Sequence, residues 1–349
     1  MPPEDRERNP TYWSICQAVA TNDLALELSD LVPPPQFRVN VFLAAVHHLL
    51  LGGAPHSLAT RYRSVCERRG LGYRAVDDDT LAAELAAFCE EFRDPIAERC
   101  ATRSTQTNEV GRCAVVRSVL GRLAASGVRE VALVDLGCSA GLNLFVDAYG
   151  YDLGGHLVGT KDARPRLRCE LRGALPPLGA PQIVARVGVD LAPVDVADDD
   201  GVAWLLACLW PDNLERFDRL GAAIDVAAAR RGELTLVRGD MVDGLAGAAS
   251  LAEGAEHVVV MNCWSAAYLP PERRSALTAA FGELAAGRSA SWVLMEHPHV
   301  ARDLGMLPDD AELRFPGSST VSLASRSAGG IAVELLAETH HHGLWLDWR

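Results

Sequence analysis

The sequence predicts an α/β protein in which an N-terminal helical domain precedes a mostly parallel sheet that closes with a C-terminal antiparallel hairpin. Three observations predict it. Residues 10–127 carry apolar residues at helical spacing. From residue 131 the pattern changes to an alternation of apolar strand and helix. Two final segments, VSLAS and IAVELLAET, break that alternation and pair with each other. Strands that alternate with helices run parallel and are covered on both faces. The domain boundaries that follow are 1–127 for the helical region, which would lie over a substrate site as a lid, and 128–349 for the sheet.

In the helical region TYWSICQAVA, FRVNVFLAAVHHLLLGG, SLATRYRSVCERRG and TLAAELAAFCEEF each have one apolar face. Pro33-Pro34-Pro35 separates the first two, and Gly52-Gly53 and Gly70 are helix stops. VGRCAVVRSVLGRLAASG leads into the strand VALVDL. LNLFVDAY reads as a short helix and IVARVGVD (183–190) as the second strand. A long helical stretch broken at Trp210-Pro211 follows, then the strands LTLVRGD, HVVVMN and SWVLMEH, with the helix PERRSALTAAFGELAAG before the last of them. Residues 151–180, between the first two strands of this series, form an insertion.

The chain has 349 residues and a formal net charge of −13. Such an acidic surface repels a phosphate backbone, so nucleic acid is not an expected partner. No apolar run approaches the ~20 residues of a membrane span. MPPEDRERNP has no apolar core, so it does not read as a signal peptide. The nine cysteines include no C-x-x-C pair and fit buried thiols of a cytoplasmic protein. His340-His341-His342 is the one histidine run, and successive side chains rarely converge, so no metal site is expected.

Function turns on VALVDLGCSAGLNL (131–144). Gly137-Cys138-Ser139-Ala140-Gly141 satisfies G-x-S-x-G, the nucleophile elbow of α/β-hydrolases with Ser139 as nucleophile. An elbow does not explain Asp135, two residues before the first glycine, and no HGGG-type oxyanion segment precedes it. A cofactor turn does explain it. Gly137 and Gly141 would let the backbone approach a ligand at the carboxyl edge of a Rossmann-like sheet, and the next helix N-terminus would offer N–H donors. The nicotinamide fingerprint fails, because Ser139 and Leu142 stand where it needs glycine.

Asp135, Gly137, Ser139, Gly141 and Asn143 resemble motif I of class I S-adenosylmethionine-dependent methyltransferases, with Ser139 in place of the middle glycine. DLGCSAGLN is also similar to the DLGCSSGPN of plant salicylate-type carboxyl methyltransferases. VGVDLAP resembles motif II, which implies that Asp190 binds ribose. It comes about 50 residues after the first glycine where about 20 is usual, so Glu170 in the insertion is the rival. LVRGDMVDGL resembles motif III, with Asp240 at the adenine, and VVVMNCWSAAYLPPERR resembles motif IV, with Asn262 lining the catalytic mouth. Across nearly its whole length the chain is similar to a bacterial family known as domain of unknown function 2332, through QTNEVGR, CSAGLNL, GVDLAPVD, WPDN, YLPPERR and THHHGLWLDW.

The implied chemistry is in-line methyl transfer from S-adenosylmethionine to a small-molecule carboxylate or hydroxyl. A carboxylate is already ionised and needs no base. For a hydroxyl, His297, with His299 behind it, and Tyr268 are the catalytic candidates. Gln106, Asn108 and Glu109 are polar where a helix begins and would touch substrate. Thr105 or Thr107 there would serve as a plain N-cap. Trp264, Tyr268 and Trp210 would form an aromatic wall. A protein that binds the cofactor without turning it over is the alternative from another functional class.

Overall fold

The computed structural model describes residues 6–7, 9–34, 36–76, 80–160, 162–252 and 254–349. Much of MPPEDRERNP, Pro35 of the proline run and Lys161 of the insertion lie outside them. The chain forms two compact units. One comprises Met1–Thr107 with Ala197–Gly221, the other Asn108–Val196 with Ala222–Arg349.

The first unit is helical: α1 (Pro10–Ala20), α2 (Asp23–Ser29), α3 (Arg38–Leu51), α4 (Arg63–Arg69), α5 (Leu81–Glu91) and α6 (Arg93–Thr102). Gly52 caps α3, and Gly70 ends α4 in the left-handed conformation at φ 65°. Residues 23–29 form α2, and the Asn22 side chain caps it by accepting the Ala25 N–H. Helix α3 is the centre of this unit. Val41, Phe42, Ala45, Val46 and Leu50 are fully buried, in a cluster with Ile15, Leu85, Phe88 and Trp204.

Trp204 belongs to α8 (Asp199–Ala207), a segment remote in sequence that completes this core. Its Nε1–H donates to the Ser104 carbonyl at 2.8 Å. His47 bonds the Ala207 carbonyl (3.0 Å) and Ser64 Oγ (2.8 Å), and burial holds its pKa down to about 4. The WPDN stretch finds its role here too. Asp212 accepts the first free N–H groups of α1, those of Thr11 (2.9 Å) and Tyr12 (3.3 Å), as a cap supplied from a distance. Trp210 stacks on Tyr12 with centroids 4.5 Å apart, so its ring is packing rather than a substrate wall.

The second unit is built on an 11-stranded sheet in the order β3-β2-β4-β11-β10-β9-β8-β7-β1-β5-β6. In chain order its elements are α7 (Cys113–Ala125), β1 (Glu130–Leu136), β2 (Gly150–Leu153), β3 (His156–Val158), β4 (Arg166–Leu171), β5 (Gln182–Asp190), then α9 (Leu214–Ala229, which begins in the first unit) and β6 (Leu234–Arg238). They continue with α10 (Leu245–Leu251), β7 (His257–Cys263), α11 (Pro271–Gly287), β8 (Ala290–Glu296), α12 (Pro298–Asp303), β9 (Ser319–Ser327), β10 (Gly330–Thr339) and β11 (Trp345–Trp348).

The run β6-β5-β1-β7-β8 is parallel. Its central strands β1, β7 and β8 are buried almost end to end, which is why they read as unbroken apolar runs. The terminal hairpin is also as expected: β9 pairs antiparallel with both β8 and β10. The order reverses at β1, with β5 and β6 on one side and β7 and β8 on the other. Ligands of open α/β sheets bind at the carboxyl ends of the strands at such a point.

Two features differ from the sequence reading. The insertion is three strands, β2, β3 and β4, which join the far end of the sheet through an unanticipated strand, β11. LNLFVDAY is not an α-helix. It makes one 3-10 turn, Leu142–Phe145, before the chain turns into β2. The carbonyls a helix would use are claimed by others: Leu142 O by Tyr149 OH (2.7 Å), Leu144 O by Arg186 Nε (3.1 Å) and Val146 O by Tyr151 OH (2.5 Å).

Candidate functional site

The turn after β1 is held entirely by this unit. Gly137 N–H (2.7 Å) and Cys138 N–H (3.2 Å) both donate to the Val189 carbonyl, and Gly141 N–H donates to Cys138 O (2.8 Å). Ser139 N–H donates to Asp190 Oδ2 at 2.8 Å. Gly137 has φ +82°, and a Cβ there would overlap the Ser265 side chain. At Gly141, φ +69°, it would lie 3.0 Å from Leu234 Cδ2. The glycines therefore serve protein packing rather than a close ligand approach. These four N–H groups are committed, and a 3-10 turn rather than an α-helix follows, so the four form no anion cradle of the expected kind.

The elbow reading fails on the same geometry. Ser139 sits at φ 55°, strained for an L-residue. A nucleophile elbow, however, needs a helix after the serine. The Ser139 hydroxyl is buried and finds no hydrogen-bond partner among the described residues, so no base stands behind it.

What the turn does gather is unpaired acceptors. Asp135 is 3 % exposed, and no hydrogen bond among the described residues reaches its carboxylate. Burial, with Asp190 nearby and despite Arg112, pushes its pKa up to about 7. Asn108 donates Nδ2–H to Cys138 O (2.8 Å), and its buried Oδ1 finds no partner among the described residues. At the end of β8, Glu296 is fully buried. One of its oxygens accepts Ala266 N–H (2.7 Å), the other finds no partner among the described residues, and burial raises its pKa to about 7 as well. A buried polar atom without a partner is costly. The site is thus rich in acceptors and poor in donors, which suits a ligand carrying N–H or O–H groups.

Asp190 lies at the end of β5 and accepts two backbone N–H groups, from Ser139 and from Ala192 (2.9 Å). A carboxylate has room for more. Asp240 follows β6 and accepts Val242 N–H (2.8 Å) and Arg273 (2.5 Å). Burial raises its pKa, but those hydrogen bonds prevail and hold it below the usual range. Glu170 is elsewhere: it is exposed on β4, across the sheet from β5, and bonded to Arg172. Asp190→Ala is therefore expected to weaken cofactor binding by roughly ten- to a hundredfold, the cost of one charged hydrogen bond. Glu170→Ala should leave it unchanged, and calorimetric titration of both variants checks this.

Asn262 and Asn143 are held in structural contacts, and the other candidates from the sequence are placed as follows. Asn262 is fully buried and spends its amide on Leu136 O (3.1 Å), Ser265 Oγ (2.9 Å) and Trp292 Nε1–H (2.9 Å). Asn143 Oδ1 accepts the Cys113 thiol at 3.3 Å. His297 caps α12 and lies against His299, with ring nitrogens 2.6 Å apart. Burial and His299 lower its pKa. The cap at QTNE is Glu109, which accepts Gly111 N–H (2.9 Å), while Thr105 bonds Gln36. Asn108 belongs to the sheet unit. Gln106 belongs to the helical one, where its N–H meets Cys208 Sγ. Tyr268 is 45 % exposed after β7. Trp264 follows β7 at φ 59°, a strained conformation, with its indole N–H on Ser319 Oγ (2.8 Å).

Two site residues escape the sequence reading. Glu296 carries the signal that flags Asp135, an acid closing an apolar run. Arg112 stands within QTNEVGR. It is buried and donates to His341 O (2.9 Å) and Cys263 O (2.8 Å).

A family model described as "Uncharacterized protein conserved in bacteria (DUF2332)" matches residues 3–348, and the chain belongs to that family. No curated protein matches it. Among solved structures it is similar to Streptomyces venezuelae DesVI, at 16 % identity over 68 % of this chain and 72 % of that one, with a TM-score of 0.25. It is also similar to an S-adenosylmethionine-dependent methyltransferase from Clostridium acetobutylicum, at 10 % identity over 72 % and 78 %, with a TM-score of 0.25. Superpositions that loose carry no argument about chemistry.

Proposed function

We propose that this DUF2332 protein binds S-adenosylmethionine at the carboxyl ends of β1, β5 and β6 and methylates a small molecule at a carboxylate or hydroxyl. The observation that carries the reading is the row of acids, Asp135, Asp190 and Asp240, at the reversal of strand order, with Asp135 buried and no hydrogen bond reaching its carboxylate among the described residues. The ribose hydroxyls and ammonium group of that cofactor are the donors such a row lacks.

When bound, the cofactor would supply a methyl group on a sulfonium. The chain's task is then placement, which alone is worth ~7–11 kcal/mol. In this reading Asp190 accepts from ribose with its remaining lone pairs, Asp240 faces the adenine amino group, and ionised Asp135 meets the ammonium. Asn108 and Trp264 are assigned to the acceptor. For a hydroxyl acceptor His297 is the base, with Tyr268 beside the mouth, and the lowered pKa of His297 keeps the ring neutral at pH 7.

S-adenosylhomocysteine should raise the melting temperature, by the equivalent of ~2.7 kcal/mol at a hundred times its Kd, and NADH should not. A shift with NADH alone overturns the proposal.

A further inference from the structure

We propose that His340, His341 and His342 bind one divalent first-row transition ion of the zinc, nickel or cobalt kind. One ligand atom from each ring lies within 4.8 Å of the other two, and no other such group forms among the described residues. Consecutive side chains normally splay, so the turn between β10 and β11 must bring these together. His342 N–H donates to His340 Nδ1 (3.0 Å), and Gly343 N–H to His340 O (2.8 Å). Gly343 holds φ +73°, and a Cβ there would overlap the backbone of Gly111, so the close approach requires glycine. Arg112 fixes the His341 carbonyl from the other side. The rings consequently sit 4.0 Å (His340 and His341) and 4.3 Å (His341 and His342) apart by centroid.

The donor set chooses the metal. Three imidazoles suit zinc, nickel, cobalt or copper, whereas magnesium and calcium want oxygen. Three protein ligands also leave coordination positions open, as in catalytic zinc sites. An ion would exchange for the His342 N–H at His340 Nδ1 or for a ring proton. The charge of Arg112 is opposed by Asp135 and Glu296, which both feel it. The turn leaves β10 at the edge where β8 ends, because β10 is antiparallel to β9 and β9 to β8. The Trp264 ring lies 5.8 Å from that of His341.

That last contact supplies a readout that needs neither activity nor the methyltransferase reading. The untagged full-length chain is titrated with zinc by calorimetry, and with nickel or cobalt while tryptophan emission is followed. The expected result is saturable uptake of one ion with quenching. His341→Ala and His342→Ala should each weaken uptake by about tenfold or more at unchanged melting temperature. Trp264→Phe should remove most of the quenching but keep the calorimetric binding. The rival is the His297 and His299 pair. Loss of uptake in a His297→Ala/His299→Ala variant, no loss in the His341 and His342 variants, or no stoichiometric uptake at all overturns the site.

Discussion

Affinity for S-adenosylhomocysteine is expected to fall about tenfold for each pH unit below about 7 in the wild-type chain, and to lose that slope in an Asp135→Asn variant. Asp135 is buried beside Asp190, so without a cation its carboxyl keeps a proton up to about pH 7. An ammonium group binds the ionised form, so binding below that pH must expel the proton. The same shift sets the stability of the unliganded fold. The folded pKa is raised, so between about pH 4 and pH 7 the folded state holds a proton that the unfolded state has released. Stability therefore declines as pH rises across that window.

Glu296 titrates in the same range, and Glu296→Gln is the control that should keep the slope of binding. At pH 8 Asp135→Asn should cost ~1.5–3 kcal/mol, roughly ten- to a hundredfold in affinity. Calorimetry in two buffers of different ionisation enthalpy counts the released proton directly. A pH-independent wild type would remove Asp135 from the site.

The sequence was legible where burial alone decides structure. β1, β7 and β8 are buried on both faces, and an apolar run announces that without knowledge of any partner. It was illegible where the partner decides. β11 is short, and its parallel pairing of Trp345 with Glu170 joins segments far apart in sequence. LNLFVDAY has the apolar spacing of a helix, yet Tyr149, Tyr151 and Arg186 take the carbonyls the helix would have used. Residues 197–221 read as part of the sheet region, but Trp204, Ala207 and Asp212 bind into the helical unit.

The site shows the same division. Acids at strand ends were visible as endings of apolar runs, which located Asp135, Asp190 and Asp240. Nothing local told that the glycines of the turn are packed against Ser265 and Leu234, or that Asn262 would be spent on clamping.

The largest loss of stability is expected from Arg112→Ala. The guanidinium is 5 % exposed and spans two elements, donating to Cys263 O at the end of β7 and to His341 O in the turn before β11. Removing it leaves both carbonyls short of a donor and takes away a cation that compensates the ionised charge of both Asp135 and Glu296. Breaking a buried charge arrangement from one side typically costs ~3–5 kcal/mol, which for a chain of this size is a fall in melting temperature on the order of 5–10 °C.

The loss should grow as pH rises from about 5 to about 8, because the two acids are protonated at the lower end and carry uncompensated charge at the upper. Arg112→Lys should recover little. One ammonium on a flexible stem cannot reach two carbonyls that a rigid, planar fork serves together. Thermal melts of both variants at pH 5.5 and pH 8 measure this. A lysine variant as stable as the wild type at both pH values would show that only a positive charge is needed there, and not the fork.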